Sequence, residues 1–169
     1  MSWFDRARAV LAMAMVGALS GCFQPLYSEA AHPGVADAMK AVEVAEIPGR
    51  VGHYLADDLI TQLNGTGETP APKYRLKITV GQQAMTPTVQ SQIAFASSAT
   101  VLESANFVLT SIADGKVVYR GLATSIAPYD RSFDNYANLR AARDADLRVA
   151  RSLADEIAQR VGSALSAKM

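Results

Sequence analysis

The chain has little of what metal and redox centres are built from. It carries one cysteine, Cys22, and two histidines, His32 and His53, in 169 residues. One cysteine excludes an internal disulfide, and two imidazoles without a second thiol leave a zinc or redox site short of ligands. Neither charge is in excess, since 16 Lys and Arg balance 16 Asp and Glu. A basic field of the kind that gathers nucleic acid is absent, and no nucleic-acid partner is expected. No Gly-rich phosphate loop follows a strand pattern, and Gly65-Thr66-Gly67 reads as a turn. What is there is ordinary globular material: 50% of the residues are hydrophobic and 19% charged, the balance of one packed domain.

Catalysis finds few footholds in these residues. A Ser, Thr or Cys nucleophile needs a base beside it, and His53 falls in a helical pattern next to acids. His53 and Asp57 stand four residues apart, the spacing of a surface helix contact. Asp57 and Asp58 are adjacent, so on a helix they point about 100° apart and do not converge on one ion. No motif sets two acids across a cleft. The expectation is a protein that is not an enzyme, with no cofactor, metal or catalytic residues.

The N-terminal segment explains the cysteine. Arg6 and Arg8 precede an apolar run from Ala9 to Leu19, too short to cross a hydrocarbon core of roughly 30 Å as a helix. Basic residues followed by a short apolar run read as a signal peptide. The run ends in Leu19-Ser20-Gly21-Cys22, which looks like a lipobox, with Leu three residues before Cys and two small residues at the cleavage site. That likeness implies cleavage before Cys22, a diacylglycerol thioether on its sulfur and an acyl chain such as palmitate on the new amino terminus. At about 0.8 kcal/mol per buried methylene, several chains anchor a protein firmly. Phe23 follows the cysteine where inner-membrane retention would call for Asp, so the expected location is the outer membrane, lipid-anchored and facing the periplasm. The expected organisation is a signal peptide over 1–21, a lipidated tether and loop over 22–40, and one domain over 41–169.

Hydrophobic periodicity organises that domain. Ala41 to Ile47 alternates apolar and acidic residues, as a half-buried strand does. From Arg50 to Leu63, Val51, Leu55, Leu59 and Leu63 recur every fourth residue, with Tyr54 and Ile60 widening the stripe, which predicts an amphipathic helix stopped by Asn64-Gly65. Tyr74, Leu76, Ile78 and Val80 alternate with Arg75, Lys77 and Thr79, the clearest strand of the chain. Gln83 to Ser97 has almost no charge and no sustained period, and reads as a long loop. Thr100 to Ser111 and Lys116 to Ile126 are joined by Asp114-Gly115, a hairpin signal, with a bulge expected near Glu103 and Ser104 if Ala105, Phe107 and Leu109 face inward. After a turn over Pro128 to Ser132, Leu139, Ala142, Val149, Leu153, Ile157 and Val161 predict a long helix from about Asn135 to Ser163. The predicted fold is an α+β two-layer sandwich, a four-stranded, mainly antiparallel sheet with both helices on one face, in the order β-α-β-β-β-α.

Two groups of residues are candidates for binding. Arg75 and Lys77 lie on the solvent face of a strand and Lys116 and Arg120 by the hairpin, so together they offer cations to an anionic ligand. The uncharged loop offers Met85, Ile93 and Phe95 as partner contacts, because such side chains are costly to expose in a free monomer.

At Gly21-Cys22-Phe23-Gln24-Pro25-Leu26-Tyr27 the sequence resembles the start of the mature lipopolysaccharide-assembly lipoproteins of the LptE family. The likeness continues through Ile47-Pro48-Gly49-Arg50-Val51-Gly52 and Tyr54 to Leu59, Tyr74-Arg75-Leu76, Ala105 to Thr110 with Asp114-Gly115-Lys116-Val117, and the helix blocks from Tyr136 to Ile157. It departs in lacking a Gly between Cys22 and Phe23, and in lacking an Arg near Ala99-Thr100. The resemblance implies a plug inside the LptD outer-membrane barrel, at 1:1, that assists barrel assembly and lipopolysaccharide insertion at the outer leaflet. It also implies that Arg75, Lys77, Lys116 and Arg120 meet lipopolysaccharide phosphates. The competing expectation is an auxiliary lipoprotein of an ABC-type lipid or compound transporter.

Overall fold

The computed structural model describes residues 34–65, 70–85 and 97–168. The expected signal peptide, Cys22, residues 22–33 of the expected tether, Ile93 and Phe95 lie outside the described residues, as does the side chain of Met85.

The element order is α1 (Val35–Lys40), β1 (Val42–Val44), α2 (Arg50–Asn64), β2 (Tyr74–Met85), β3 (Ser98–Ser111), β4 (Val117–Asp130) and α3 (Asn135–Ser166). The strands form one sheet in the order β1-β2-β3-β4, with β1 parallel to β2 and the other pairs antiparallel. This is the predicted α+β architecture, preceded by a short helix in the stretch read as tether. In α1, Val35, Ala38 and Met39 are buried in the common core, so the domain begins before residue 41. A stretch of Ala, Gly, Pro and His has no period to betray six helical residues. Burial of three apolar side chains fixes them instead.

The core lies between the sheet and the helices. Leu76 and Ile78 of β2, Ala105, Phe107 and Leu109 of β3, and Ala123 and Ala127 of β4 point into it. Leu55, Leu59 and Leu63 of α2 meet them, with Val149, Leu153, Ile157, Val161 and Leu165 of α3. Each such aliphatic side chain taken wholly out of water contributes about 1.5–3 kcal/mol. β3 and β4 have 14 residues each and α3 has 32. At about 3.3 Å per strand residue and 1.5 Å per helical residue, strand and helix both run roughly 46–48 Å, and α3 packs along β4 as well as α2.

Several boundaries differ from the periodicity. β1 keeps only Val42–Val44; past it the chain turns so that Ile47 drops into the core and abuts α2. A Cβ on Gly52 would come within 2.7 Å of the Ile47 carbonyl oxygen, so glycine is what lets that segment approach the helix. β2 runs on to Met85, pairing Gln83, Ala84 and Met85 with Leu102, Val101 and Thr100, and β4 runs on through Pro128 to Asp130. The expected loop therefore gives up residues 83–85 and the expected turn gives up 128–130. Backbone pairing with a long neighbour satisfies their amides and carbonyls whatever the side-chain pattern.

β3 is in continuous register at Glu103, which turns inward between Val101 and Ala105 without a bulge. The register shift falls instead between Leu109 and Thr110, where Val118 is the extra residue on β4. Two apolar positions of the predicted stripes point outward: Ile60 is 45% exposed and Leu139 60%. α3 starts well before the body it packs on, and its first buried residue is Ala145. Asp134 caps it, its carboxylate accepting from the amides of Tyr136 at 2.8 Å and Ala137 at 3.4 Å. At the hairpin, Gly115 has φ +66, the left-handed conformation that the turn requires.

Candidate functional site

Among the described residues the helices cover one face of the sheet and nothing covers the other. Register places Lys77, Val108 and Arg120 in one row across β2, β3 and β4, and Arg75 with Thr110 in the row nearer the hairpin. The next rows hold Thr79, Asn106 and Leu122, then Gly81, Ser104 and Thr124. On β4, Leu122 and Ile126 of this face are 51% and 62% exposed. The face is thus cationic at the hairpin end and mixed apolar and hydroxylated further along.

The four expected cations share this end of the sheet but not one state. The Arg75 Nε lies 3.1 Å from the Glu43 carboxylate on β1, and the Lys116 Nζ 3.4 Å from Asp114 in the turn. Both are exposed pairs of modest worth. Asp114 is held at a pKa of about 2, first by a hydrogen bond from Ser111 and then by the Lys116 amide, so it stays ionised beside Lys116. Lys77 and Arg120 have no ion pair among the described residues, which makes the central row the open part of the cationic patch. His53 and Asp57 form the expected exposed surface contact, 3.5 Å apart. Among the described residues no cluster of three or more His, Cys, Asp or Glu side chains could hold a metal ion.

A second site lies on the covered face, and no periodicity announced it. Among the described residues the core holds three buried polar side chains, Glu103, Ser125 and Asp146. Glu103 and Ser125 are register partners on β3 and β4. Asp146, 2% exposed on α3, is bound by the Arg50 guanidinium through Nε at 3.1 Å and through a closer Nη2 contact. Glu103 is 1% exposed, and neither carboxylate oxygen has a hydrogen-bond partner among the described residues. Burial pushes its pKa up, and the Asp146 charge pushes it further.

Glu103 lines a cavity of about 220 Å³ with residues 48–52 and Val80. The cavity opens at the start of α2, whose N-cap is Gly49 and supplies no side-chain cap. The first amide of α2 to close on the helix's own carbonyls is His53, bonded to the Gly49 oxygen at 3.0 Å. The amides of Arg50, Val51 and Gly52 are left without an intrahelical partner. The signal in the sequence was Glu103 itself, an acid on the inward side of an otherwise apolar alternation. It reads as a register slip until the strand is seen to be continuous.

The edge strand β4 is guarded by α3. Arg160 donates to the Leu122 carbonyl at 2.8 Å and Arg148 to the Pro128 carbonyl at 2.9 Å, which takes two acceptors from the edge that another strand would need. No helix among the described residues is long and apolar enough to cross a membrane.

No protein-family model matches the chain. No curated protein matches it either. Solved structures do. A Caulobacter crescentus CB15 protein provisionally described as a lipoprotein superposes with a TM-score of 0.65 at 22% identity, covering 78% of this chain and 96% of its own. A minor lipoprotein from Acinetobacter baumannii gives 0.48 at 16% identity, covering 76% and 92%. Rare lipoprotein B from Shewanella oneidensis gives 0.47 at 12% identity, covering 75% and 92%. The chain shares the fold of the Caulobacter protein over nearly that protein's whole length.

Proposed function

We propose that this protein is a lipoprotein of the outer membrane, anchored through Cys22, that plugs the LptD barrel, assists its assembly and takes part in placing lipopolysaccharide in the outer leaflet. The Leu19-Ser20-Gly21-Cys22 motif and the Phe23-to-Tyr27 block support the anchor and the family. The observation that carries the reading is the open sheet face. A row with Lys77 and Arg120 unpaired among the described residues, followed by hydroxyl and apolar positions, suits both an amphiphile with anionic headgroups and the water-filled interior of a wide barrel. A domain with no net charge, held by lipid at the membrane, meets such a barrel at high effective concentration. In this reading the chain acts by binding and shape and carries out no reaction.

Affinity capture of the tagged full chain from detergent-solubilised envelopes is the direct test. Recovery of a large outer-membrane barrel in equal amount supports the proposal. Recovery of an ABC transporter or a substrate-binding protein in its place refutes it, in favour of a transport accessory. Replacing Cys22 with Ser is expected to release the protein from the membrane fraction.

A further inference from the structure

A buried carboxylate with both oxygens unsatisfied is uncommon, because stripping its water is costly unless something in the fold offsets it. Nothing among the described residues does so for Glu103. Arg50, the cation among the described residues lining the cavity, is paired with Asp146. The cavity it faces is far larger than the roughly 30 Å³ of a single water.

We propose that this cavity is a binding site for an uncharged hydroxylated ligand, a sugar ring whose hydroxyls donate to the Glu103 carboxylate and accept from the amides at the start of α2 that have no intrahelical partner. The two walls select that chemistry. One wall holds an acceptor, Glu103; the other is formed by residues 48–52 at the start of α2, where the partial positive charge of the helix terminus and amides without intrahelical partners favour an acceptor on the ligand. An ammonium has donors only and meets Arg50 and the helix terminus. A phosphate or carboxylate has acceptors for the amides and meets the charges of Glu103 and Asp146. A hydroxyl alone supplies one donor and two lone pairs at a single atom, so one group serves both walls without bringing charge into a cluster that already holds two acids and one base. Val80 and the apolar part of Val51 offer a surface for the C–H face of a ring. The pocket lies on the covered face of the sheet, away from the cation row, and its chemistry stands independently of the barrel role.

Saturation-transfer NMR tests this on the full chain, purified in a detergent without a sugar headgroup and with neither barrel nor lipopolysaccharide present. The probes are free N-acetylglucosamine, the same sugar displayed on a lipid in neutral phosphatidylcholine vesicles, and inorganic phosphate. Transfer to the free or the displayed sugar is expected, and which of the two binds names the source. Glu103→Leu should weaken it about tenfold or more, the loss of a hydrogen bond to a charged group. Glu103→Gln, which keeps an acceptor, should retain part of it. Circular dichroism confirms that each variant is folded. Absence of transfer to either sugar in the parent chain, equal transfer in the Leu variant, or binding of phosphate in place of sugar would overturn the assignment.

Discussion

Glu103 stores a measurable instability. Its pKa is raised in the fold, chiefly by burial and secondarily by Asp146, so the folded protein holds that proton more tightly than the unfolded chain does. The contribution of Glu103 to stability is therefore fully present below the ordinary glutamate pKa, and it is lost as pH rises through the raised value. Replacing Glu103 with Leu, of similar size and apolar, removes both the buried charge and the two unsatisfied oxygens. The variant should be more stable than the parent by about 1–4 kcal/mol near pH 8, the range seen when buried charge gives way to packed hydrocarbon. The gap should narrow on acidification, at up to 1.36 kcal/mol per pH unit while the group titrates. For a domain of this size each kcal/mol is roughly 3–5 °C in Tm. Urea titrations of parent and variant between pH 4.5 and 8 measure it. A variant less stable than the parent at pH 8, or a gap that does not change with pH, would mean that Glu103 is satisfied in the folded protein and would refute the reasoning.

Three further outcomes follow from the packing. Gly52→Ala should destabilise the domain by about 1–2 kcal/mol, because a Cβ against the Ile47 carbonyl costs more than the gain in helix propensity; thermal melts read it. Asp134→Ala removes the cap of α3 and should cost about 1 kcal/mol, seen in melts and as faster amide exchange in the first turn. Reversing charge at Lys77 and Arg120 together should weaken lipopolysaccharide binding in a salt-sensitive way with little change in Tm, whereas reversal at Arg75 and Lys116, already paired with Glu43 and Asp114, should do less. Equal losses for the two pairs would dissolve the distinction between paired and open cations.

The amphipathic elements were legible because a stripe repeats. Val51, Leu55, Leu59 and Leu63 mark one helix face, and Leu76 and Ile78 one strand face, since a covered surface demands apolar residues at the period of its backbone. Features resting on non-local pairing were less so. Strand ends at Met85, Ser98 and Asp130 are held by backbone partners on neighbouring strands, and hydrogen bonding of that kind leaves no mark on side-chain hydropathy. The cation patch was legible as residues and not as charges, since Glu43 comes beside Arg75 only through the parallel pairing of β1 with β2.

By itself the sequence determined the α+β class, the order of the main helices and strands, and the inward faces of α2 and of β2 from Tyr74 to Val80, because alternation and fourfold spacing encode which side of each element meets water. Only the tertiary structure decided that Glu103 points into the core, that Asp146 and not Glu103 receives Arg50, and that a cavity is left at the start of α2. Those facts depend on three segments distant along the chain arriving at one place. A lone acid in an apolar strand does not reveal what stands opposite it until the helices have packed.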